Sequence, residues 1–243
     1  MTRLLVQGAS GRLGQTIVRL AQQSDTWQVT ASEKGASLEP LVAITEVGID
    51  VSVPEASVQI ASLCARYRKP LVIGTTGHSD AQRNDIDTAA ATCPILVAPN
   101  FSVGVNLLFW LTRETAKVLG EAFDAEVIEM HHKLKKDAPS GTAKRIAEIL
   151  ADLRSTVYAE AVRHGRQGIV GQRTPREIGV HAVRGGNVVG EHTVVFAGEG
   201  ERIELIHRAT SREIFAHGAL RAAQWLAGQA PGRYDMQDLL GLK

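Results

Sequence analysis

The sequence predicts an α/β protein, with a doubly wound parallel sheet and a second, α+β domain whose sheet is mostly antiparallel or mixed. Short apolar strands alternate with amphipathic helices through roughly the first hundred residues, as in parallel sheets. Glycine-rich turns follow two of these strands, at residues 8–14 and 74–77. Beyond residue 120, extended segments are joined by short glycine turns instead, which favours antiparallel pairing.

The composition is that of an ordinary globular protein. The chain has 243 residues, 44% of them hydrophobic and 22% charged, so a sizeable core is available. The formal net charge of +1 gives no general attraction to nucleic acid or to a membrane. No apolar run approaches the ~20 residues that span a bilayer, and the N-terminus lacks a signal-peptide pattern. We therefore expect a soluble, cytoplasmic protein that binds neither nucleic acid nor membrane.

The two cysteines, Cys64 and Cys93, lack the spacing of a metal site. We predict that both are free, buried thiols in a reducing compartment, and that the protein has no metal site.

The first elements follow the order of a dinucleotide-binding unit. A strand at Arg3–Gln7 leads into the turn Gly8–Gly14, a helix to about Gln23 and a strand at Trp27–Ser32, which ends at the acidic Glu33. Glycines let the backbone approach a pyrophosphate, and the helix N-terminus faces its charge. This order predicts a Rossmann-type domain that binds a dinucleotide, although the glycine spacing is GxxGxxG rather than GxGxxG.

The adenosine end of this site leaves two cofactors open. The Glu33 carboxylate would accept hydrogen bonds from a ribose hydroxyl, as in NADH binding. Lys34 beside it could instead contact a 2′-phosphate, as in NADPH binding. A glycine turn by itself has a purely steric explanation, so the prediction depends on the strand, helix and acid together.

The alternating pattern then continues. We predict strands at Ile49–Val53, Pro70–Ile73 and Pro94–Ala98, and helices from Pro54 to about Lys69 and from about Ser79 to Ala91. The segment from Gly35 to Gly48 is ambiguous. Ligands of such sheets bind beyond the carboxyl ends of the strands. The turns at 8–14, 74–77 and 98–101 all lie at those ends, so one sheet edge collects them.

The second domain begins with a long helix. We predict a helix at Val103–Gly120, a strand at Phe123–His132, a helix at Ser140–Leu153, extended segments at Ile178–Arg184, Asn187–Ala197 and Glu201–Ala209, and a last helix at Ser211–Gly228 followed by a short tail. The segment Arg163–Arg176 is predicted to be a mobile loop. The apolar side chains of Val188, Val194, Phe196, Ile203, Leu205 and Ile206 predict a broad surface that packs against other copies of the chain.

One stretch concentrates the titratable residues. Positions 131–137 hold two histidines, three lysines and an aspartate, and Pro139 is followed by Ser140-Gly141-Thr142 at a helix start. Such an arrangement is typical of an anion site with proton-transfer groups beside it. Each feature alone has an ordinary explanation: a structural histidine pair, a solvated lysine cluster, a helix cap. In a strand, His131 and His132 point to opposite faces unless the backbone bends there.

Together, these stretches resemble one family. Gly8-Ala-Ser-Gly-Arg-Leu-Gly14, Ile73-Gly-Thr-Thr-Gly77, Ala98-Pro-Asn-Phe-Ser-Val-Gly-Val-Asn106, His131-His-Lys-Leu-Lys-Lys-Asp-Ala-Pro-Ser-Gly-Thr-Ala143 and Gly190-Glu-His-Thr193 look like bacterial 4-hydroxy-tetrahydrodipicolinate (dihydrodipicolinate) reductases. The resemblance covers nearly the whole chain, and its histidine-rich motif is the most specific part.

The resemblance implies a fold and an activity. A Rossmann-type dinucleotide-binding domain would comprise residues 1–102 and 212–243, and a substrate-binding and tetramerisation domain residues 103–211. The enzyme would use NADH or NADPH to reduce 4-hydroxy-tetrahydrodipicolinate, a small cyclic dicarboxylate, to tetrahydrodipicolinate with loss of water, in lysine and diaminopimelate biosynthesis. It would act as a homo-oligomer, as the family's tetramers do.

The resemblance also implies roles for individual residues. His131 would be the proton donor or acceptor and Lys135 a proton donor. Substrate would be bound by His132, Gly141 and Thr142. The pyrophosphate would be held by Gly8, Ala9, Ser10, Gly11, Arg12 and Leu13, and the adenosine ribose or its phosphate by Glu33 and Lys34. The nicotinamide side would be lined by Gly74, Thr75, Thr76, Ala98, Pro99, Asn100 and Phe101.

Two departures and two alternatives remain at this stage. The segment between Glu33 and Ile49 is shorter than the family leads us to expect, and Val53 stands where some members carry arginine. A nucleotide-sensing regulator would need a DNA-binding or basic partner domain, which the sequence does not predict. An aldehyde dehydrogenase of the aspartate pathway would need a nucleophilic cysteine in a turn, and neither cysteine is so placed.

Overall fold

The structure is a computed structural model that describes residues 1–32 and 35–243. The described chain forms two compact units. The first consists of Met1–Val103 together with Glu213–Lys243, and the second of Gly104–Arg212.

The first unit is an α/β layer structure. Its strands are β1 (Thr2–Gln7), β2 (Trp27–Ser32), β3 (Val47–Asp50), β4 (Leu71–Ile73), β5 (Pro94–Val97) and β11 (Gly232–Tyr234). Its helices are α1 (Arg12–Gln22), α2 (Leu38–Ile44), α3 (Pro54–Tyr67), α4 (Asp80–Ala90), α8 (Glu213–Leu226) and α9 (Met236–Leu240). The strands pair in parallel in the order β11-β5-β4-β3-β1-β2. The predicted doubly wound, Rossmann-type sheet is therefore confirmed.

The C-terminal tail differs from the prediction. We expected only a short tail after the last helix and assigned no element to it, but Gly232–Tyr234 pairs with Pro94–Leu96 as an additional edge strand, and α9 follows with Asp235 as its N-cap. The ambiguous segment after β2 contains a short helix, α2, before β3. Both elements are short and depend on the sheet beside them.

Each face of this sheet has its own apolar core. On one face, Leu4, Val6 and Ile49 pack with small residues of α8 such as Ala219 and Ala223. On the other face, the core contains Leu5, Ile60, Leu71, Ile73, Ile86 and Ile95. Because both faces are covered, the strands read as continuous apolar runs, as parallel strands do.

The second unit packs helices on one face of a mixed sheet. Its elements are α5 (Val103–Leu119), a 3-10 turn (Gly120–Ala122), β6 (Asp124–His131), α6 (Gly141–Leu153), α7 (Tyr158–Ala161), β7 (Val162–His164), β8 (Ile178–Arg184), β9 (Gly190–Ala197) and β10 (Arg202–Ala209). The strand order is β10-β9-β6-β8-β7, with β6 antiparallel to β9 and parallel to β8. The second α+β domain with a mixed sheet is thus also confirmed.

The prediction of a broad apolar surface on this sheet is partly wrong. Val194 and Phe196 are buried in the core with residues of α5 and α6, so they are not on a free surface. The opposite face carries Ile128, Val183 and Ile206, which are 40%, 43% and 45% exposed. The prediction combined side chains from both faces, because neighbours on a strand alternate between them.

The arginine-rich segment after β7 is anchored by ion pairs. Arg166 and Arg173 both bind the Glu126 carboxylate, with Nη2–Oε1 and Nε–Oε1 distances of 2.8 and 3.1 Å. Arg166 also binds Glu177 at 2.6 Å. We predicted a mobile loop here, but these contacts fix two of its arginines to the outer face of the sheet.

Within residues 1–32 and 35–243, no helix is both long and apolar enough to cross a bilayer.

Candidate active site

In the first unit, the turn after β1 borders a cleft of about 580 Å³ at the carboxyl end of the sheet. The predicted residues Gly8, Ser10 and Gly11 line it. Gly8 has φ of 81°, and a Cβ there would lie 2.5 Å from the carbonyl oxygen of Val51, so only glycine fits. Gly11 is the N-cap of α1, whose amino end therefore opens at this turn.

The other predicted residues of this turn differ in exposure. Ala9 is buried in the core, Leu13 is partly buried, and the Arg12 side chain is exposed. The remaining cleft residues are Gln7, Ser32, Gly35, Ala36, Leu38, Val51, Ser52, Val53, Glu55, Ala56 and Gln59. The predicted ribose contacts, Glu33 and Lys34, lie outside the described residues.

The ends of β3 and β4 are joined by a buried carboxylate. Asp50 accepts hydrogen bonds from the hydroxyl groups of Ser52 and Thr75, the latter at 2.6 Å. Burial raises the pKa of Asp50 above its usual value, against the lowering effect of these hydroxyls. The Thr75 hydroxyl also accepts the backbone N–H of Ser52 at 2.9 Å. Thr75 was predicted as a site residue, whereas Asp50, which holds the two turns together, was not.

The turns after β4 and β5 are in contact through Phe101. Its ring lies against Gly74, where a Cβ would come within 2.5 Å of the ring carbon Cε2. Phe101 and Ala98 are buried, whereas Thr76 and Pro99 are exposed and Asn100 is half-buried. The structure therefore brings Gly74, Thr75, Ala98 and Phe101 together at one edge of the sheet.

In the second unit, the end of β6 carries a buried histidine–carboxylate pair. The Nδ1 atom of His131 lies 2.6 Å from Oε2 of Glu129. The two residues are two positions apart on one strand, so their side chains share a face. Because an ionised carboxylate can only accept, His131 donates from Nδ1 and keeps Nε2 as the second ring nitrogen.

Glu129 has further partners in addition to the histidine. Arg184 on β8 binds it in a bidentate manner, with Nη1–Oε2 and Nη2–Oε1 distances of 2.8 Å each. The backbone N–H of Ser140 donates to Oε1 at 3.0 Å. Burial alone would raise the pKa of Glu129, but the hydrogen bonds from Arg184, His131 and Ser140 outweigh it and hold the pKa below its usual value. Glu129 is therefore a buried, ionised group.

The protonation of His131 is set by opposing influences. Burial lowers its pKa below the usual value, and the hydrogen bond and charge of Glu129 raise it in part. The positive charges of Lys135 and Arg184 lower it further. A histidine tuned in this way releases its proton readily at neutral pH.

His192 lies in the same cluster, although sequence analysis assigned it no functional role. Its ring packs edge-on against that of His131 with the centroids 5.2 Å apart, and its Nε2 lies 3.0 Å from the Ser140 hydroxyl oxygen. Burial and the neighbouring His131 lower the pKa of His192 to about 3. Through these contacts His192 supports both His131 and Ser140.

The loop after β6 contributes the remaining predicted residues. Lys135 is mostly buried and its Nζ binds Oδ2 of Asp137 at 2.9 Å, while His132 is half-buried. Helix α6 begins at Gly141, with Ser140 as N-cap accepting the backbone N–H of Ala143 at 3.2 Å. The first turn of α6, with Gly141 and Thr142, therefore begins at the end of the loop that follows the two histidines, and a helix N-terminus favours anions.

Glu129, Arg184 and Asp50 were not among the site residues predicted from the sequence. Glu129 carried a usable signal, since it interrupts the apolar face of β6 two residues before His131. Arg184 carried none, because it reaches the site only through the pairing of β6 with β8. Among the described residues, no cluster of histidine, cysteine and acidic side chains is arranged to hold a metal ion.

Comparison with known proteins identifies the family. The model described as "Dihydrodipicolinate reductase, N-terminus" matches residues 2–101, and "Dihydrodipicolinate reductase, C-terminus" matches residues 104–240. The chain belongs to the dihydrodipicolinate reductase family. This membership confirms the resemblance seen in the sequence and makes the protein an oxidoreductase.

Relatives match over their full length. A 4-hydroxy-tetrahydrodipicolinate reductase of Akkermansia muciniphila is 51% identical over 243 residues, covering 100% of this chain and 99% of the relative. One from Syntrophotalea carbinolica is 45% identical over 267 positions, covering 100% of both chains. The second alignment spans 24 positions more than this chain has residues (267 − 243).

A solved structure agrees with the fold. The dipicolinate-bound dihydrodipicolinate reductase from Paenisporosarcina sp. TG-14 has a TM-score of 0.79 and 25% sequence identity, covering 97% of each chain. A diaminopimelate dehydrogenase of C. glutamicum, at 12% identity and a TM-score of 0.55, shares the fold.

The cysteine chemistry disfavours the aldehyde dehydrogenase alternative. Cys64 and Cys93 are free and buried, as predicted. Burial raises the pKa of both thiols, that of Cys93 to about 11. A catalytic cysteine needs the opposite shift, because the thiolate is the nucleophile.

Proposed function

We propose that this protein reduces 4-hydroxy-tetrahydrodipicolinate to tetrahydrodipicolinate, with loss of water and oxidation of NADH or NADPH, in lysine and diaminopimelate biosynthesis. Family membership over both halves of the chain supports the activity. The observation that carries it is the buried pair of His131 and Glu129, with Lys135 and the start of α6 following in the chain. That combination offers a proton source beside an anion site, as reduction of a dicarboxylate requires.

His131 is the proposed proton donor or acceptor, and Lys135 the second proton donor. When bound, the reduced nicotinamide supplies the hydride, and hydride addition leaves negative charge on the substrate that must be protonated. The Nδ1 atom of His131 is occupied by Glu129, so Nε2 is the atom that holds or delivers the proton. Lys135 places an ammonium group in the same loop, paired with Asp137.

Substrate carboxylates are proposed to bind at the start of α6. The first turn of the helix, with Gly141 and Thr142, offers backbone N–H groups and the positive end of the helix dipole. His132 is proposed to bind the substrate as well. The Paenisporosarcina enzyme was solved with dipicolinate, a cyclic dicarboxylate, which supports this substrate class.

The first unit is the proposed dinucleotide-binding domain. Its cleft of about 580 Å³ has room for part of a dinucleotide, and Gly8, where a side chain would collide with the Val51 backbone, lines it. We assign the pyrophosphate to residues 8–13, the ribose or its phosphate to Glu33 and Lys34, and the nicotinamide side to residues 74–76 and 98–101. The second unit is the proposed substrate and tetramerisation domain.

The preference for NADH or NADPH can be measured by following the oxidation of each cofactor. Val53 and Glu55 line the cleft, and neither offers a positive charge to a 2′-phosphate. Lys34 in the neighbouring sequence, outside the described residues, carries such a charge, and we propose that both cofactors are accepted. Comparison of kcat/KM for the two measures the preference directly.

The decisive experiment is a coupled assay. Purified protein is combined with the preceding synthase of the pathway and either cofactor, and absorbance at the reduced nicotinamide band is followed. We expect oxidation of at least one cofactor that depends on the synthase product. Absence of oxidation with both would overturn the proposal.

We also propose a homo-oligomer, in keeping with the predicted tetramer, and a cytoplasmic location. Ile128, Val183 and Ile206 are exposed apolar side chains on the outer face of the second sheet, and we propose that a second copy covers them. Sedimentation at micromolar concentration should show a species larger than 26.1 kDa, and a monomer would contradict the proposal. Free, buried thiols fit a reducing compartment.

A further inference from the structure

The Glu129 carboxylate is the most constrained charged group of the second unit's site. It is fully buried and receives hydrogen bonds from His131, both terminal nitrogens of Arg184 and the Ser140 backbone. A buried carboxylate is costly unless it is paired in this way.

The position of Glu129 has no packing reason to be charged. On the same face of β6, the preceding positions Ala125 and Val127 are apolar and fully buried. The register of the sheet places Glu129 opposite His192, and His131 beside Arg184. Continuing the apolar pattern would extend the core, so the carboxylate serves the site.

We propose that Glu129, held by Arg184, is a positioning residue that fixes the tautomer and orientation of His131 and ties its ring to the first turn of α6. This inference rests on the proposed function of His131. Residues that orient a catalytic imidazole through Nδ1 are a recurring device of acid–base catalysis.

The two oxygens of the Glu129 carboxylate bind different partners. Oε2 receives Nδ1 of His131, whereas Oε1 receives the Ser140 backbone N–H that precedes α6. Arg184 bridges both oxygens, so the carboxylate plane cannot rotate without breaking this pair. One side chain therefore sets the spacing between the proton donor and the proposed carboxylate site.

The charged groups around His131 shift its pKa in opposite directions, so substitutions of these groups have opposite expected effects. The groups that face it are Glu129 on β6, Arg184 on β8, His192 on β9, and Lys135 with its partner Asp137 in the loop. Glu129 raises the pKa of His131, whereas Arg184 and Lys135 lower it. Removing Glu129 and removing Arg184 should thus move the titration of His131 in opposite directions.

The test uses Glu129→Gln and Arg184→Gln in the full-length protein. The titration of His131 is followed by NMR without substrate, and the pH profile of kcat/KM is measured with the better cofactor. We expect Glu129→Gln to shift the titration to lower pH and to reduce kcat by about 10²-fold, with the KM for cofactor unchanged. Arg184→Gln should shift the titration to higher pH.

The matched control is Glu126→Gln. Glu126 lies on the same strand and is also paired with arginines, but it is on the opposite face. Its removal should leave the His131 titration unmoved. If Glu129→Gln does not fold, Arg184→Gln alone tests the proposal, because it should shift the titration of His131 to higher pH, the direction opposite to that expected for Glu129→Gln.

Two failures can be distinguished. If the wild type oxidises cofactor but neither variant moves the His131 titration, the positioning role is overturned while the proposed function stands. If the wild type is inactive with both cofactors, the proposed function fails, and the NMR titration still reports whether Glu129 controls His131.

Discussion

At the scale of single residues, the proton chemistry depends on His131 and Lys135. We predict that His131→Ala and Lys135→Ala each lower kcat by about 10²–10⁴-fold, the usual contribution of a general acid or base. Steady-state kinetics with saturating cofactor measure this loss, and circular dichroism checks that both variants fold. A change confined to the KM for cofactor would argue against the acid role.

Gly190 limits the space beside the His131 ring. A Cβ at Gly190 would lie 3.0 Å from Nε2 of His131, whose other nitrogen is already fixed by Glu129. Gly190→Ala should therefore turn the ring, and we expect kcat to fall by at least about tenfold, because small misplacements of catalytic groups are costly. Gly228→Ala is the control, since its nearest contact would be 3.8 Å. Equal activity of the two variants would show that the ring adapts.

Local motifs identified the residues of the site that are neighbours in sequence. His131, Lys135, Gly141 and Thr142 fall within twelve positions, so their order alone indicated a strand, a loop and a helix start. The supporting contacts cannot be read in this way. Arg184 is 55 residues from Glu129 along the chain, and its contact with Glu129 exists only through the register of β6 and β8.

At the scale of elements, Ser140 serves both as the cap of α6 and as a partner of His192. We predict that Ser140→Ala lowers stability by about 1 kcal/mol, the usual cost of losing an N-cap, and also raises the KM for the dicarboxylate. Ser79→Ala is the matched control, because Ser79 caps α4 in the first unit. Urea unfolding should show that both variants are less stable than the wild type, and only Ser140→Ala should change the KM for the dicarboxylate. An unchanged KM would separate the cap from substrate binding.

The elements that were predicted correctly have a clear pattern of their own, either a short apolar run bounded by turn residues or an amphipathic helical period. The strands β1, β2 and β5 and the helices α1, α3 and α4 show it, and their approximate positions were predicted. The strand β11 has three residues, too few for any periodicity, and exists because β5 offers it an unpaired edge. The short helix α2 likewise gave no pattern of its own. Elements of this kind are set by tertiary pairing rather than by their own sequence.

At the scale of the whole molecule, whether a face of a sheet is buried or exposed depends on the helices that pack on it. The apolar residues of β9 and β10 were identified correctly as apolar, but alternation alone does not say which face the helices cover. In the structure, α5 and α6 cover the face with Val194 and Phe196 and leave Ile206 exposed. An interface with another copy is therefore expected on the outer face, together with Ile128 and Val183.

The stability of the protein should fall steeply in acid. Burial lowers the pKa of His192 from 6.5 to about 3, so between these values the unfolded chain binds one proton more than the folded chain. Stability therefore decreases as pH falls through this window, by up to about 1.4 kcal/mol per pH unit. The pKa of Glu126 is about 2, because the hydrogen bonds from Arg166, His181 and Arg173 outweigh its burial, and its contribution is lost between about pH 4.5 and 2.

A histidine variant isolates the first of these losses. We expect His192→Gln to flatten the dependence of the urea midpoint on pH between about 6.5 and 5.5, where Glu126 is almost fully ionised in both the folded and the unfolded chain. His217→Gln, at an exposed position of α8, should keep the wild-type slope. Protein concentration must be held constant, because assembly adds to apparent stability. If His192→Gln and wild type show the same slope, then His192 takes up its proton at a similar pH in the folded and unfolded chains, and its burial in the site costs the protein nothing in acid.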